Sequence, residues 1–470
     1  MNKMKTRSNH ISMLCLLVIT TVIFVASCSE KTIQNDLQWV SLFDGKSLTG
    51  WHILGGNATY EVKDGTIVGT SALNTPNTFL CTDTMYGDFI LELEYKVDPL
   101  LNSGIQIRSN SIPSYRNGVV HGYQIEIDPS ERAWSAGIYE EQGRDWLYDL
   151  DDNPQAQKAF RQNEWNLYRI EAIGDTLKTW INGVEAAHLV DDRTKNGFIG
   201  LQVHGINDDV EKEGTQVIWK NIRILTENPY AHATAMTLPA RHTMNKILYK
   251  EEKEGWKLLW DGKTTEGWRG DKLDKFPEHG WEIKDGVLSV ITTGGKQSVD
   301  GGDIVTNELY GDFEFKVDFK ITEGANSGIK YYVDTDLNKG EGSAIGLEYQ
   351  ILDDARHEDA KLGNHKGSRT LGSLYDLIQA DTTKVVNPVG EWNFAQIISK
   401  NNHVEHWLNG RKILEYERKS DNFRQLVKES KYAIWPDFGE AEKGNILLQE
   451  HGSQVSFRNI KVRSLDNQNK

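Results

Sequence analysis

Phe89-Ile90-Leu91-Glu92-Leu93-Glu94-Tyr95-Lys96-Val97 alternates apolar and charged side chains. On an extended chain, side chains two apart share a face, so this stretch reads as a strand with one face in a core and the other toward water. Phe313-Glu314-Phe315-Lys316-Val317-Asp318-Phe319 repeats the pattern 224 residues later (313 − 89). Upstream, Tyr60-Glu61-Val62-Lys63-Asp64-Gly65-Thr66-Ile67-Val68 joins two alternating runs at Asp-Gly, a dipeptide that supplies the positive φ of a two-residue hairpin turn. Asp285-Gly286 does the same within Trp281–Leu288, and Asn182-Gly183 and Asn409-Gly410 mark one more hairpin in each half. Short helices are expected only at Asn153–Arg161, at Asn422–Glu429 and around Met244–Glu252. Many short strands divided by turn residues predict an all-β fold, a two-sheet antiparallel sandwich in each half.

The two halves say the same thing in the same order. Phe43-Asp44-Gly45-Lys46 returns as Trp260-Asp261-Gly262-Lys263, Asn102-Ser103-Gly104-Ile105 as Asn326-Ser327-Gly328-Ile329, and Glu164-Trp165-Asn166 as Glu391-Trp392-Asn393. Trp180-Ile181-Asn182-Gly183 returns as Trp407-Leu408-Asn409-Gly410, and Gln202-Val203-His204-Gly205 as Gln449-Glu450-His451-Gly452. The offset grows from 217 (261 − 44) through 224 (326 − 102) and 227 (407 − 180) to 247 (451 − 204). Constant order with a growing offset is what loop insertion leaves in a duplicated domain, and so long a period means two whole domains. Residues 39–226 and 255–466 are read as the repeats, with 227–254 as an ordered connector. Trp165, Trp180, Trp392 and Trp407 recur in pairs and are expected mostly in the cores.

At 470 residues with 26% charged side chains the chain suits two globular domains. Lys3, Lys5 and Arg7 precede an uncharged apolar run from Ile11 to Ala26, which reads as an export signal. Small residues before Cys28 resemble a lipobox, so residues 1–27 are expected to be removed, Cys28 lipidated, and residues 28–38 left as a tether in the cell envelope. Removing three basic residues and no acids would take the formal charge from −15 to −18. An acidic chain repels phosphate backbones, which argues against nucleic acid and suits a neutral oligosaccharide or glycoside. Cys81 would then be the one unmodified cysteine, expected as a buried apolar side chain.

Candidate site residues are polar side chains that share a strand face in both repeats. Glu348 and Gln350 lie two apart, as do Gln124 and Glu126 with amide and carboxylate exchanged. Gln449 and His451 match Gln202 and His204. The second copy alone carries His406, where the first has Thr179, and Lys330, where the first has Gln106; Tyr332 faces Arg108 in the same comparison. Tyr375 belongs to the second copy, while Tyr139, Arg144 and Trp146 belong to the first. Trp146 and Trp435 lie outside the shared frame and suit stacking on a sugar ring. His357 and His365 fit no compact zinc spacing, and Asp149, Asp151 and Asp152 lack the glycine and terminal glutamate of an EF-hand. No cofactor is expected; a structural calcium ion stays open.

Together the Asp-Gly-Lys opening, Asn-Ser-Gly-Ile, Tyr349-Gln350-Ile351-Leu352-Asp353-Asp354, Gly390-Glu391-Trp392-Asn393, His406-Trp407-Leu408-Asn409-Gly410 and Phe457-Arg458-Asn459-Ile460 resemble the 3-keto-disaccharide hydrolase domain family. The second copy matches more closely; the first ends Trp219-Lys220-Asn221-Ile222. The resemblance implies two tandem concanavalin A-like jelly rolls that act on glycosides oxidised at sugar C3. A C3 ketone acidifies the C2 proton and places the glycosidic oxygen β to the carbonyl. A base, an acid and donors for the enolate would then suffice. On this resemblance His451 or His406 is expected as base, and Glu348 or Asp353 as acid or orienting partner. Lys330 and Gln350 would stabilise the enolate; His204, Glu126, Gln124 and Arg108 are the expected counterparts in the first copy. Gln449, Gln202, Tyr375, Tyr139, Arg144, Trp146 and Trp435 are the expected substrate contacts. A non-catalytic lectin, or one catalytic and one binding repeat, is the alternative.

Overall fold

A computed structural model of the chain describes residues 39–294, 301–340 and 342–466. The signal segment, Cys28 and the tether lie outside the described residues. Among those described, no helix is long and apolar enough to cross a membrane.

Each repeat is a jelly-roll sandwich of two sheets around its own core, antiparallel except where Arg241–His242 of the connector pairs parallel with Val184–Val190. The first core runs from Phe43 to Leu248 and the second from Trp260 to Val462. Strand Phe89–Val97 alternates buried and half-buried positions from Leu91 onward, as its sequence dictates. It sits centrally in a nine-stranded sheet, and Phe313–Ile321 occupies the same place in an eight-stranded one. All four hairpin dipeptides adopt positive φ at both residues: 49° and 74° at Asp64-Gly65, 50° and 82° at Asn182-Gly183, 51° and 74° at Asp285-Gly286, 49° and 80° at Asn409-Gly410. That is the turn whose twist matches the strands it joins. The expected helices form at Pro154–Ala159, Asp421–Lys428 and Tyr249–Lys253.

The facing sheets differ. The first repeat has seven strands there, ending in Ile138–Glu141 and Asp145–Tyr148. The second has five, and residues 353–391 replace the last two strands with a loop tied down by bridges at Tyr349–Leu374 and Leu374–Ile378.

The paired tryptophans are mostly outside the cores. Trp180 is buried, but Trp165, Trp392 and Trp407 are half-exposed. The reason is a repeated outer-face motif of acid, cation and ring. Lys220 pairs with Glu94 at 3.4 Å and lies 3.9 Å from the Trp165 ring centre. Arg458 pairs with Asp318 at 3.3 Å and lies 4.1 Å from the Trp392 ring centre. Such stacking keeps a ring at the surface while covering it with a cation.

Arg458 also explains why the copies end differently. It reaches the first repeat and grips Asp192 with two bonds of 2.8 Å. The connector completes the joint. Leu248 and Tyr249 pack into the first core. Asn245 exchanges backbone-to-side-chain bonds with Asn459 at 2.6 and 2.8 Å, and Glu251 accepts from Lys461 at 2.5 Å. Arg458→Ala should therefore destabilise the chain by about 3 kcal/mol, the low end for a broken buried ion pair because Asp192 keeps contact with water. Urea unfolding read by tryptophan fluorescence checks this, and an unchanged midpoint would refute it.

Candidate functional site

Three neighbouring strands of the second repeat's smaller sheet set out one polar face. Gly328 stands opposite Gln350, and Lys330 stands opposite both Glu348 and Leu447. Gln449 donates its N–H to the Gly328 carbonyl at 3.0 Å, which extends the row. Opposed residues of an antiparallel ladder project to the same side, so Asn326, Lys330, Glu348, Gln350 and Gln449 converge. They line a cavity of about 340 Å³ with His451, Ser343, Tyr375, Lys431, Tyr432, Ile434 and Trp435.

The polar floor is almost closed to water, with Lys330 6%, Glu348 5%, Gln350 1% and Gln449 5% exposed. Lys330 Nζ donates to Ser343 Oγ and, at 3.1 Å, to the Ala344 carbonyl, and stands 4.0 Å from Glu348. Burial raises the Glu348 carboxyl above its usual range, with Lys330 and Lys431 pulling it back. Burial lowers His451, so the imidazole is neutral, and able to accept a proton, at neutral pH. Behind Lys330, burial pushes Asp303 up to about 6; it accepts from Ser343 Oγ and, at 2.8 Å, from the Glu450 N–H. Turned to satisfy its neighbours, the Gln350 amide donates to Ser327 O and Glu348 Oε1 at 3.2 Å each. The Gln449 Oε1 atom is buried without a hydrogen-bond partner among the described residues. A buried acceptor left unmet is costly, and a sugar hydroxyl would satisfy it.

The Asn-Ser-Gly-Ile motif has a packing reason. A Cβ on Gly328 would sit 2.2 Å from Glu348 Oε1, and one on Gly104 would sit 2.5 Å from Gln124 Cδ. Glycine lets the side chain from the next strand lie flat across the sheet. Gly328→Ala should displace the Glu348 carboxyl and cost about 1–3 kcal/mol, the scale of overpacking a filled site. Urea unfolding checks this; a native midpoint would refute it.

The first repeat builds a related cleft of about 320 Å³ from Asn77, Asn102, Gln124, Glu126, Arg132, Tyr139, Glu141, Gln142, Asp145, Trp146 and His204. Gln106 stands where Lys330 stands, opposite Gln124. Burial raises Glu126 to about 7, and Asn102 donates to it at 2.7 Å. Gln202, fully buried, directs Nε2 toward Glu141 at 3.5 Å. Trp146 is only 7% exposed and packs edge-on against Trp134 and Tyr139.

The structure thus gathers His451, Glu348, Gln350, Lys330, Gln449, Tyr375 and Trp435 in one cleft, and His204, Glu126, Gln124, Tyr139 and Trp146 in the other. Five expected site residues lie elsewhere; one is Gln202, fully buried behind the first cleft. His406 is wholly buried, with Nε2 2.8 Å from Tyr331 Oη and Nδ1 2.8 Å from the Gly372 carbonyl; burial takes it to about 4. It is a core histidine. Asp353 closes a turn, accepting from the Gly324 N–H at 2.8 Å and pairing with Arg356. Arg108 sits in a bulge at φ 46°, fully buried, donating to the Gly87 and Gly174 carbonyls and to Asp88. The structural match of Lys330 is therefore Gln106, and Arg108 matches Tyr332. Arg144 is held by Glu140 and Asp191 and faces the space between the repeats.

Lys431, Tyr432, Asn326 and Ser343 were not singled out by the sequence reading. Asn326 opens Asn-Ser-Gly-Ile, and the rise in offset from 227 to 247 marks the insertion that carries Lys431, Tyr432 and Trp435. Cys81 is buried in an apolar cluster with Phe79, Val120 and Phe198, and burial raises its thiol pKa. Among the described residues, His403, Glu405 and Glu415 bring possible metal-ligand atoms within 4.8 Å of one another. Lys412 already pairs with both of those carboxylates, at 3.1 and 2.6 Å.

Each of the two jelly rolls carries an amide-rich cleft on one sheet. The model of the 3-keto-alpha-glucoside-1,2-lyase-like domain matches residues 38–225 and 255–463. The chain belongs to that family, in two tandem copies. A 3-keto-disaccharide hydrolase of Bacteroides thetaiotaomicron is 35% identical over 243 residues, covering 47% of this chain and 83% of its own. Two solved structures from Parabacteroides distasonis, assigned to the glycosyl hydrolases, are 31% and 32% identical. They cover 48% and 45% of this chain and 100% and 99% of their own, with TM-scores of 0.42 and 0.35.

Proposed function

We propose that the second repeat cleaves the glycosidic bond of 3-keto-glycosides by elimination followed by addition of water. The observation that carries this reading is a buried lysine 4.0 Å from a buried carboxyl, on one sheet face with His451 at its end. His451 takes the C2 proton. The electrons of that C–H bond form the C2–C3 double bond of an enolate, and its collapse re-forms the C3 ketone, forms the C1–C2 double bond and breaks the C1–O bond. Glu348, whose carboxyl is raised by burial, gives its proton to the departing oxygen. Lys330 meets the negative charge that develops on the C3 oxygen, and the Gln350 amide, donating to Glu348, holds that carboxyl in place. Water then adds its oxygen at C1 and a proton at C2, so the net change is hydrolysis. Gln449 Oε1 holds a ring hydroxyl, while Tyr375, Tyr432 and Trp435 offer apolar walls. The match to the lyase-like family and the named relative support the substrate class. An export signal with lipidation at Cys28 would place the activity in the cell envelope.

The test is turnover of a 3-keto-glucoside in deuterium oxide, followed by NMR. Early product should carry deuterium at C2 while unreacted substrate carries none. Protium at C2 in early product would overturn the elimination route, and absence of cleavage would overturn the activity.

A further inference from the structure

We propose that the first repeat's cleft is a second sugar site on the same chain, which binds a neutral glycoside without cleaving it. The two clefts keep one set of groups and differ in another. Both keep an asparagine (Asn102, Asn326) and a histidine (His204, His451) at matching places. Gln449 lines its cleft, while its match Gln202 lies fully buried on the sheet face that carries Glu126. In both, the glutamine Oε1 is buried with no hydrogen-bond partner among the described residues, an acceptor open to a donor that reaches that face. A sugar hydroxyl is such a donor.

The reactive pair is what the first cleft lacks. Gln106, a neutral amide, replaces Lys330; it donates to Gln124 at 2.6 Å and accepts from Ser109 Oγ at 2.7 Å. Gln124, also neutral, replaces Glu348 and donates to Glu126 at 2.9 Å. The nearest cation, Arg132, pairs with Asp128 at 2.8 Å and Glu126 at 3.4 Å, and its guanidinium lies 4.8 and 4.7 Å from the ring centres of Trp134 and Trp146. No unpaired cation stands where Lys330 stands in the second cleft, so an enolate is poorly stabilised and the barrier to C2 proton loss stays high. Glu126, Glu141 and Asp145 around the cleft repel anions, which selects an uncharged ligand. Aromatic surface from Tyr139 suits the C–H face of a pyranose.

The test uses the full chain carrying Lys330→Met and Glu348→Gln, titrated by calorimetry with trehalose and with 3-keto-trehalose. Two sites are expected for the keto sugar. Adding His204→Ala, at an exposed position, should weaken one of them at least tenfold; Gln202→Leu should abolish it, with a melting curve confirming the fold. A one-site isotherm, or two sites unmoved by His204→Ala, would overturn the proposal. So would cleavage of 3-keto-trehalose by the double variant at a tenth of the wild-type rate or more, because the first cleft would then be catalytic. A wild-type chain that cleaves nothing would defeat the proposed activity alone, since the stoichiometry is read without turnover.

Discussion

Lys330→Met is expected to lower kcat on a 3-keto-glucoside by about 10²- to 10³-fold, the cost of removing one preorganised donor from a developing oxyanion. Methionine keeps the length and apolar stem of lysine but removes the charge. The fold should survive with a loss of about 1–3 kcal/mol, because the Ala344 carbonyl and Ser343 hydroxyl lose their buried donor. The pH profile gives a second readout. The proposed route needs His451 neutral and Glu348 protonated, so kcat/KM is expected to rise as pH climbs through the histidine and to fall as Glu348 loses its proton. Burial raises the Glu348 carboxyl, and Lys330 is the largest influence lowering it. Removing that cation should raise the carboxyl further and move the falling limb to higher pH. A variant with native kcat and an unmoved profile would show that Lys330 takes no part.

His451→Ala should cost about 10²- to 10⁴-fold in kcat, the usual contribution of a positioned base. The comparison among histidines is more telling than the number. His204→Ala, in the first cleft, should leave kcat within twofold. His406→Ala should lower the melting temperature, because it empties a core site and removes one of the two partners, His406 and Tyr416, of the buried Tyr331 hydroxyl. Single-turnover kinetics on the three variants separates these roles. Loss of chemistry in His204→Ala equal to that in His451→Ala would reject the division of labour between the repeats.

The frame was legible because it is local. Alternation in Phe89–Val97 and the Asp-Gly and Asn-Gly turns carry their own geometry, so strand and hairpin follow from a few adjacent residues. The face shared by Glu348 and Gln350 was legible for the same reason. Which strands lie beside it was not: Lys330 reaches Glu348 through a register between strands that begin 19 residues apart (345 − 326) and Gln449 arrives from a strand a hundred residues on. His406 misled because a histidine in a strand can point into a core as readily as a cleft, and only Tyr331 and Gly372, distant in sequence, decide. Arg108 misled because the bulge after Ile107 breaks the alternation by which its direction would be read. Lys431 went unnoticed since it lies in an insertion with no counterpart to compare.

The connector has a consequence for how this chain comes apart. Leu248 belongs to one core while Asn245 and Glu251, a few residues away, are bonded to the other repeat. Neither half can melt without tearing out that rivet, so denaturation should proceed as one cooperative event rather than two successive ones.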